Sequence, residues 1–175
     1  LYDDPYLLMD EGLDAPFGAV DRFAIELGMA GDDPRRVEAG ILFELRYNLT
    51  AGHSFLPEEK LVAATAQLLN IEESAVARGV ERLLEGQRLV RDHLAGITVD
   101  YLPELHEAES YCKERLLAFS ENHIPEPRGL EKMLRTAEKE SGIEYSAQQR
   151  EAIRQAATSG VLLITGGPGT GKTTI

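Results

Sequence analysis

Val161-Leu162-Leu163-Ile164-Thr165-Gly166-Gly167-Pro168-Gly169-Thr170-Gly171-Lys172-Thr173-Thr174 is the stretch that decides how this 175-residue chain reads. Its first five residues are a continuous apolar run rich in β-branched side chains, the pattern of a central parallel strand buried on both faces. The run feeds directly into Gly, four residues, and Gly-Lys-Thr, the phosphate-loop pattern in the strand-then-loop context it requires. Gly166, Gly167, Gly169 and Gly171 let the backbone turn back so that successive N–H groups converge on one anion. A helix expected to start near Gly171 adds its partial positive end. Lys172 supplies a full charge that bridges β- and γ-phosphates, and Thr173 offers a hydroxyl to Mg²⁺. Pro168 stiffens the loop, with Thr170 and Thr174 as secondary polar contacts. Lys172 and Thr173 are therefore the catalytic candidates, and Thr173 is the metal-binding one. Alone, this motif does not separate kinase, GTPase, transporter and helicase.

Working upstream, Ser159-Gly160 breaks a helix that runs back to Ser146-Ala-Gln-Gln-Arg-Glu-Ala-Ile153. Gln149 heads that helix. Its amide can donate to and accept from an adenine edge, yet Ser146 and Gln149 also satisfy a capping box, and spacing leaves both roles open. A helix with Leu130, Met133, Leu134 and Ala137 on one face precedes it and closes near Ser141-Gly142. Ile124-Pro-Glu-Pro127 breaks the chain before that. A longer helix after Pro103 carries Ala108, Tyr111, Cys112, Leu116 and Phe119 on one face, which reads as a core stripe.

Further upstream, Val20, Phe23, Ala24 and Leu27 repeat at helical spacing up to Gly28. Asp32-Asp33-Pro34 caps a second helix with Val37, Ile41, Leu45 and Leu49 on one stripe. Pro57-Glu58-Glu59 starts a third, facing inward with Leu61, Thr65, Leu68 and Leu69. The next begins near Glu72, with Val76, Val80, Leu83 and Leu84 apolar, and ends at Gly86. Two β-like pieces follow, Arg88 to Asp92 and Ile97 to Leu102. Three helices and a hairpin are the order of a winged helix, which also suits an ordinary interaction domain.

The composition is 43% hydrophobic and 27% charged, near the globular average, which excludes a collagenous or wholly disordered chain. No apolar run approaches the ~18–20 residues of a membrane span, so no membrane contact is expected. A single Cys, Cys112, excludes an internal disulfide and fits a reducing cytoplasm. The chain opens on Leu1 and stops within its phosphate loop, so it reads as a fragment. Net charge is −12, and residues 1 to 34 carry nine acids against Arg22 alone. That field repels nucleic acid, so DNA contact is local or supplied elsewhere in the protein, and the acidic N-terminal region points to protein partners. Arg78, Arg82, Arg88 and Arg91 form the best basic cluster, but Glu81, Glu85 and Asp92 interleave with them, and helical-spacing ion pairs account for most of it. His53, His93, His106 and His123 lack metal-site spacing.

Ser146 to Ile153 followed by Leu163 to Thr174 resembles the opening of the motor in RecD-like superfamily 1 DNA helicases, whose relatives include the exonuclease V alpha subunit. There a Gln reads adenine ahead of a Gly-Gly-Pro-Gly-Thr-Gly-Lys-Thr loop. Asp4-Pro5-Tyr6 is similar to the family's Asn-Pro-Tyr, and Phe17 to Gly28 to its helix-hairpin-helix-like segment. Tyr101-Leu-Pro103 with Glu107-Ala-Glu109 is similar to the lead-in to the motor. One departure stands out: Asp14-Ala15-Pro16 replaces a Gly-hydrophobic-Gly turn. Pro16 removes an N–H from a nest that would hold DNA phosphate, and Asp14 adds negative charge, so residues 12 to 28 read as a structural or docking module.

The expected fold is a mainly α chain with four parts. They are a helix-hairpin-helix-like module over 1–33, a winged-helix-like domain over 34–104, a helical linker over 105–145, and the truncated start of a RecA-like α/β domain over 146–175. The resemblance implies the N-terminal part of an ATP-dependent 5′→3′ DNA helicase in recombination and repair. ATP and Mg²⁺ would sit on Gly166 to Thr174, Gln149 would select adenine, and single-stranded DNA would be held mostly by other parts. Without a Walker B acid, an arginine finger or a second motor domain, this piece alone is expected to be inactive. A DNA-binding or docking adaptor with a regulatory nucleotide site, or a small-molecule kinase, is the alternative.

Overall fold

The computed structural model describes residues 3–9, 13, 15–122 and 124–175. Asp14 and His123 lie outside the described residues, as do Asp10, Glu11 and Gly12. The chain divides into two compact units, Leu1–Glu109 and Ser110–Ile175.

The first unit opens with a 3-10 turn, Pro5–Met9, and α1, Phe17–Glu26. It continues with α2 (Pro34–Leu49), β1 (Phe55–Pro57), α3 (Glu58–Leu69), α4 (Glu73–Glu85), β2 (Val90–Leu94) and β3 (Ile97–Tyr101). α2 begins as its sequence dictates: Pro34 fills the first helical position and the Asp33 side chain accepts the Arg35 N–H at 2.9 Å, satisfying an otherwise orphaned donor. α3 ends at Asn70 in the left-handed conformation, which Asn tolerates better than most residues. The three strands form one antiparallel sheet in the order β1-β3-β2. Helix, strand, helix, helix and hairpin with that order is winged-helix topology. β1, which the sequence did not announce, closes it by pairing Phe55 with Tyr101 and Pro57 with Val99.

The core lies where α2, α3 and α4 meet the sheet. Val37, Ile41, Leu45, Leu61, Leu69, Val76, Val80, Leu83 and Val99 are all buried. Leu49 and Leu68, expected inward, are exposed at the ends of their helices. The contact of α4 on α2 is close because of Gly79: a Cβ there would lie 2.6 Å from Val37 Cγ1 and 2.9 Å from Ile41 Cδ1.

Three elements converge on Asp21. Arg36, only 7% exposed, grips its carboxylate with two donors, Nε at 2.8 Å and Nη2 at 2.9 Å. Arg36 Nη1 also donates to the carbonyls of Gly31 at 2.6 Å and Leu69 at 3.1 Å. Tyr6 Oη donates to Asp21 at 2.6 Å. Burial by itself would raise the Asp21 pKa, but the bonds from Arg36 and Tyr6 outweigh it and hold the carboxyl below its ordinary value. Burial and the Asp21 bond push the Tyr6 phenol well above its usual range.

A second ion-pair network braces the sheet. Arg91 on β2 donates to the fully buried Asp100 on β3 at 2.9 Å, to Glu58 on α3 at 2.9 Å and to Glu81 on α4 at 2.9 Å. Tyr101 Oη donates to Glu109 at 3.0 Å, and burial first, then that bond, lifts its pKa to about 12.

α5, Pro103–Ser120, starts with Pro at its first position and runs from the first unit into the second. No residue of α5 is buried, and Tyr111, Cys112, Leu116, Leu117 and Phe119 are exposed. The expected core stripe, Cys112 included, is thus corrected: apolar spacing alone does not supply an opposing surface. The second unit continues with α6, Leu130–Ser141, and α7, Ala147–Thr158. Glu131 and Glu138 on α6 pair with Arg150 and Arg154 on α7, and Leu130 and Leu134 are buried. Among the described residues no helix is long and apolar enough to cross a membrane.

Gly79→Ala is expected to cost about 1–3 kcal/mol by overpacking, measured by denaturant unfolding. The Asp21 contribution is complete above about pH 4, the ordinary carboxylate range, and is lost as pH falls through the lower folded value, because the unfolded chain takes up that proton first. In Asp21→Asn, the loss of stability between neutral pH and pH ~3 should be shallower than in the parent.

Candidate nucleotide-binding site

α7 is positioned by its first turn. Ser146 Oγ accepts the Gln149 backbone N–H at 3.2 Å, and Gln149 Oε1 accepts the Ser146 N–H at 2.9 Å, a reciprocal capping box. Two N–H groups that the helix cannot satisfy internally are thereby paired. Tyr145 N–H donates to Glu138 Oε1 at 2.8 Å, tying the approach of α7 to α6.

With its oxygen engaged in the cap, the Gln149 amide reaches the loop with its nitrogen. Nε2 donates to the Gly171 carbonyl at 3.4 Å. Gly171 is required there twice over. Its φ is +74° and an added Cβ would fall 2.4 Å from Gln149 Nε2, so a side chain is both strained and obstructed. Gly169 has φ +74° as well.

The loop is closed by its own side chains. Lys172 Nζ donates to the Gly166 carbonyl at 2.6 Å and to the Gly167 carbonyl at 2.7 Å. Thr170 Oγ1 donates to the Gly167 carbonyl at 2.9 Å and would lie 3.0 Å from a Cβ on Gly166. The Thr174 N–H donates to the Gly171 carbonyl at 3.1 Å. The side chain of Thr173 is exposed, and Pro168 occupies the turn ahead of Gly169. All ten residues picked out in the sequence, Gln149 and Gly166 to Thr174, thus belong to one contiguous region.

Two expectations for this region are corrected. Val161 to Thr165 form no strand, and Leu163 is 85% exposed. A strand exists only through its ladder, and the described residues of this unit offer no neighbouring strand to pair with. Residues 172 to 174 form a turn rather than the first turn of a helix. An apolar pocket of about 370 Å³ is lined by Leu130, Leu134, Tyr145, Ile153 and Thr174, among others, and the α6 stripe is its only sign in the sequence.

The first unit holds a winged-helix topology and the second a glycine loop behind a capped helix. Residues 149–175 match the family model described as AAA domain, and residues 1–55 match that of the ATP-dependent RecD2 DNA helicase HHH domain. The ATP-dependent RecD2 DNA helicase of Deinococcus radiodurans is 27% identical over 168 residues, covering 90% of this chain and 23% of that protein. The chain is thus similar to the N-terminal region of RecD-like helicases, and it spans about a quarter of that relative's length. An AAA domain uses nucleotide and metal in general terms.

Gly171→Ala is expected to release the Gln149 amide, at a cost on the order of 1–2 kcal/mol for a left-handed alanine. The readout is the side-chain Nε2 resonance of Gln149 in proton–nitrogen correlation spectra. Gly167→Ala, whose Cβ would have its nearest neighbour 4.0 Å away, should leave that resonance in place.

Proposed function

We propose that this chain is the N-terminal part of an ATP-dependent DNA helicase of the RecD-like kind, acting in recombination and repair in the cytoplasm. The observation that carries the reading is the junction of capped helix and glycine loop. There an amide suited to an adenine edge lies one hydrogen bond, 3.4 Å, from the loop suited to a triphosphate. The matches at both ends of the chain support the same reading.

The residues present fit the ligand. Lys172 rests on two neutral carbonyls, and an anionic phosphate oxygen is the stronger acceptor, so binding transfers the ammonium from loop to phosphates. The glycines leave the backbone N–H groups open to the same anion. The exposed Thr173 hydroxyl would hold Mg²⁺, which would supply charge neutralisation to the phosphates. Gln149 reads adenine by exchanging its Gly171 and Ser146 bonds for the base edge. In the protein that carries this chain, hydrolysis would alternate two motor domains along single-stranded DNA in the 5′→3′ direction. We assign the helix-hairpin-helix-like module to 1–33, the winged-helix-like domain to 34–104, the linker to 105–145 and the motor start to 146–175.

The adaptor reading has one observation in its favour. Arg82 on α4 is paired with Glu38 at 2.8 Å, and Arg91 on β2 with Asp100, Glu58 and Glu81, which leaves those two cations committed within the fold rather than to base reading. On that reading the winged helix docks protein.

In the protein that carries this chain, Lys172→Ala is expected to lower DNA-stimulated ATP turnover by ~10²–10³-fold or more, while nitrocellulose filter binding still detects DNA. Turnover at the parent rate would refute the role given to Lys172.

A further inference from the structure

We infer that Glu138 on α6 is a positioning residue for base selection: its carboxylate clasps the chain on both sides of the Gln149 cap and holds that turn while the Gln149 amide leaves it for the base. The inference rests on the adenine role proposed above for Gln149.

The cap runs from Ser146 to Gln149. Glu138 Oε1 accepts the Tyr145 N–H, just ahead of it, at 2.8 Å. Glu138 Oε2 accepts Arg150 Nη2, just behind it. The Glu138 backbone takes part as well. Its carbonyl accepts the Gly142 N–H at 2.9 Å, where α6 ends on a left-handed glycine at φ +71°. One residue therefore fixes the end of α6, the entry to α7 and the first residue past the cap. The Glu138 side chain is 13% exposed and follows the buried Leu134 by one helical turn. A carboxylate largely out of water depends on the donors around it, and its bond to a guanidinium is of the stronger, charge-assisted kind.

Gln149 has two engagements: Oε1 accepts the Ser146 N–H and Nε2 donates to the Gly171 carbonyl. To read a base edge the amide gives up both, and the first turn of α7 keeps only the Ser146 half of its cap. A helix end short of its cap is weakened, and a loosened turn leaves the amide without a fixed direction. The clasp supplies restraint from α6 that does not pass through Gln149. Direction matters because adenine offers one donor and one acceptor to a carboxamide, whereas guanine offers two acceptors and leaves the amide oxygen unpaired. Among the described residues no hydrogen bond links Glu138 to residues 166–174, so the clasp acts on base selection and not on phosphate binding.

The test is calorimetric titration of the protein that carries this chain with ADP and with GDP, each with Mg²⁺. The parent is expected to bind ADP more tightly. Glu138→Ala should lower the ADP-to-GDP affinity ratio at least about fivefold, the scale of a two-bond amide–base contact, with GDP affinity within about twofold of the parent. Gln149→Ala should lower the ratio as well, and Glu138→Ala added to it should lower it no further, because both act through one amide. Arg150→Gln opens the clasp from its other side, lowers the same ratio, and decides the matter if Glu138→Ala does not fold. Glu151→Gln removes a carboxylate that accepts from Arg154 and Gln155 and should leave the ratio unchanged. Parallel loss of ADP and GDP affinity in Glu138→Ala makes the residue merely structural and overturns the inference. A ratio lowered by Gln149→Ala but not by Glu138→Ala overturns the inference alone. A parent-like ratio in Gln149→Ala overturns the adenine role and the inference together.

Discussion

A guanidinium carries five N–H donors and no acceptor, so burying one obliges the surrounding chain to supply oxygen atoms in fixed positions. Arg36 imposes that condition on the first unit. Its bonds reach the Asp21 carboxylate of α1, the Gly31 carbonyl between α1 and α2, and the Leu69 carbonyl at the end of α3. Tyr6 shares Asp21 from the opening turn. One side chain therefore holds the opening turn, α1, α2 and the end of α3 in a single arrangement. Breaking such a pair on one side costs about 3–5 kcal/mol, on the scale of truncating a large buried apolar side chain. The opening turn and α1 are fastened to α2 and α3 by a polar anchor inserted through an apolar interface.

The same logic explains why an arginine-containing helix and wing are electrostatically quiet. Arg91 is shared among carboxylates from β3, α3 and α4, and Arg82 is drawn across to α2. The expected pairing within α4 was the wrong geometry for the right outcome: the partners come mainly from other elements. Spacing along one helix reports only neighbours at i±3 and i±4, so cross-element pairs are invisible to it.

Most helices were legible because their ends are written chemically: Asp33-Pro34 before α2, Gly86 after α4, Ser146 with Gln149 before α7. The hairpin was legible from its β-branched residues and the Ala95-Gly96 turn. β1 was not, since Phe55-Leu56-Pro57 is too short for any period to show and exists by pairing with β3. Cys112 and the α5 stripe failed for the opposite reason: the period was present but no surface meets it. At the loop, the turn through Pro168 and Gly169 was legible from its glycines. The bond from Gln149 to Gly171 was not, because it depends on how α7 and the loop meet in space.

Val161 to Ile164 carry a practical consequence of their own. They are consecutive apolar residues in open backbone with no strand beside them, and an unprotected edge of that composition is a template on which a second polypeptide can align. Any tendency of this chain to self-associate at high concentration is therefore expected in those residues rather than over the acidic, mutually repelling surface.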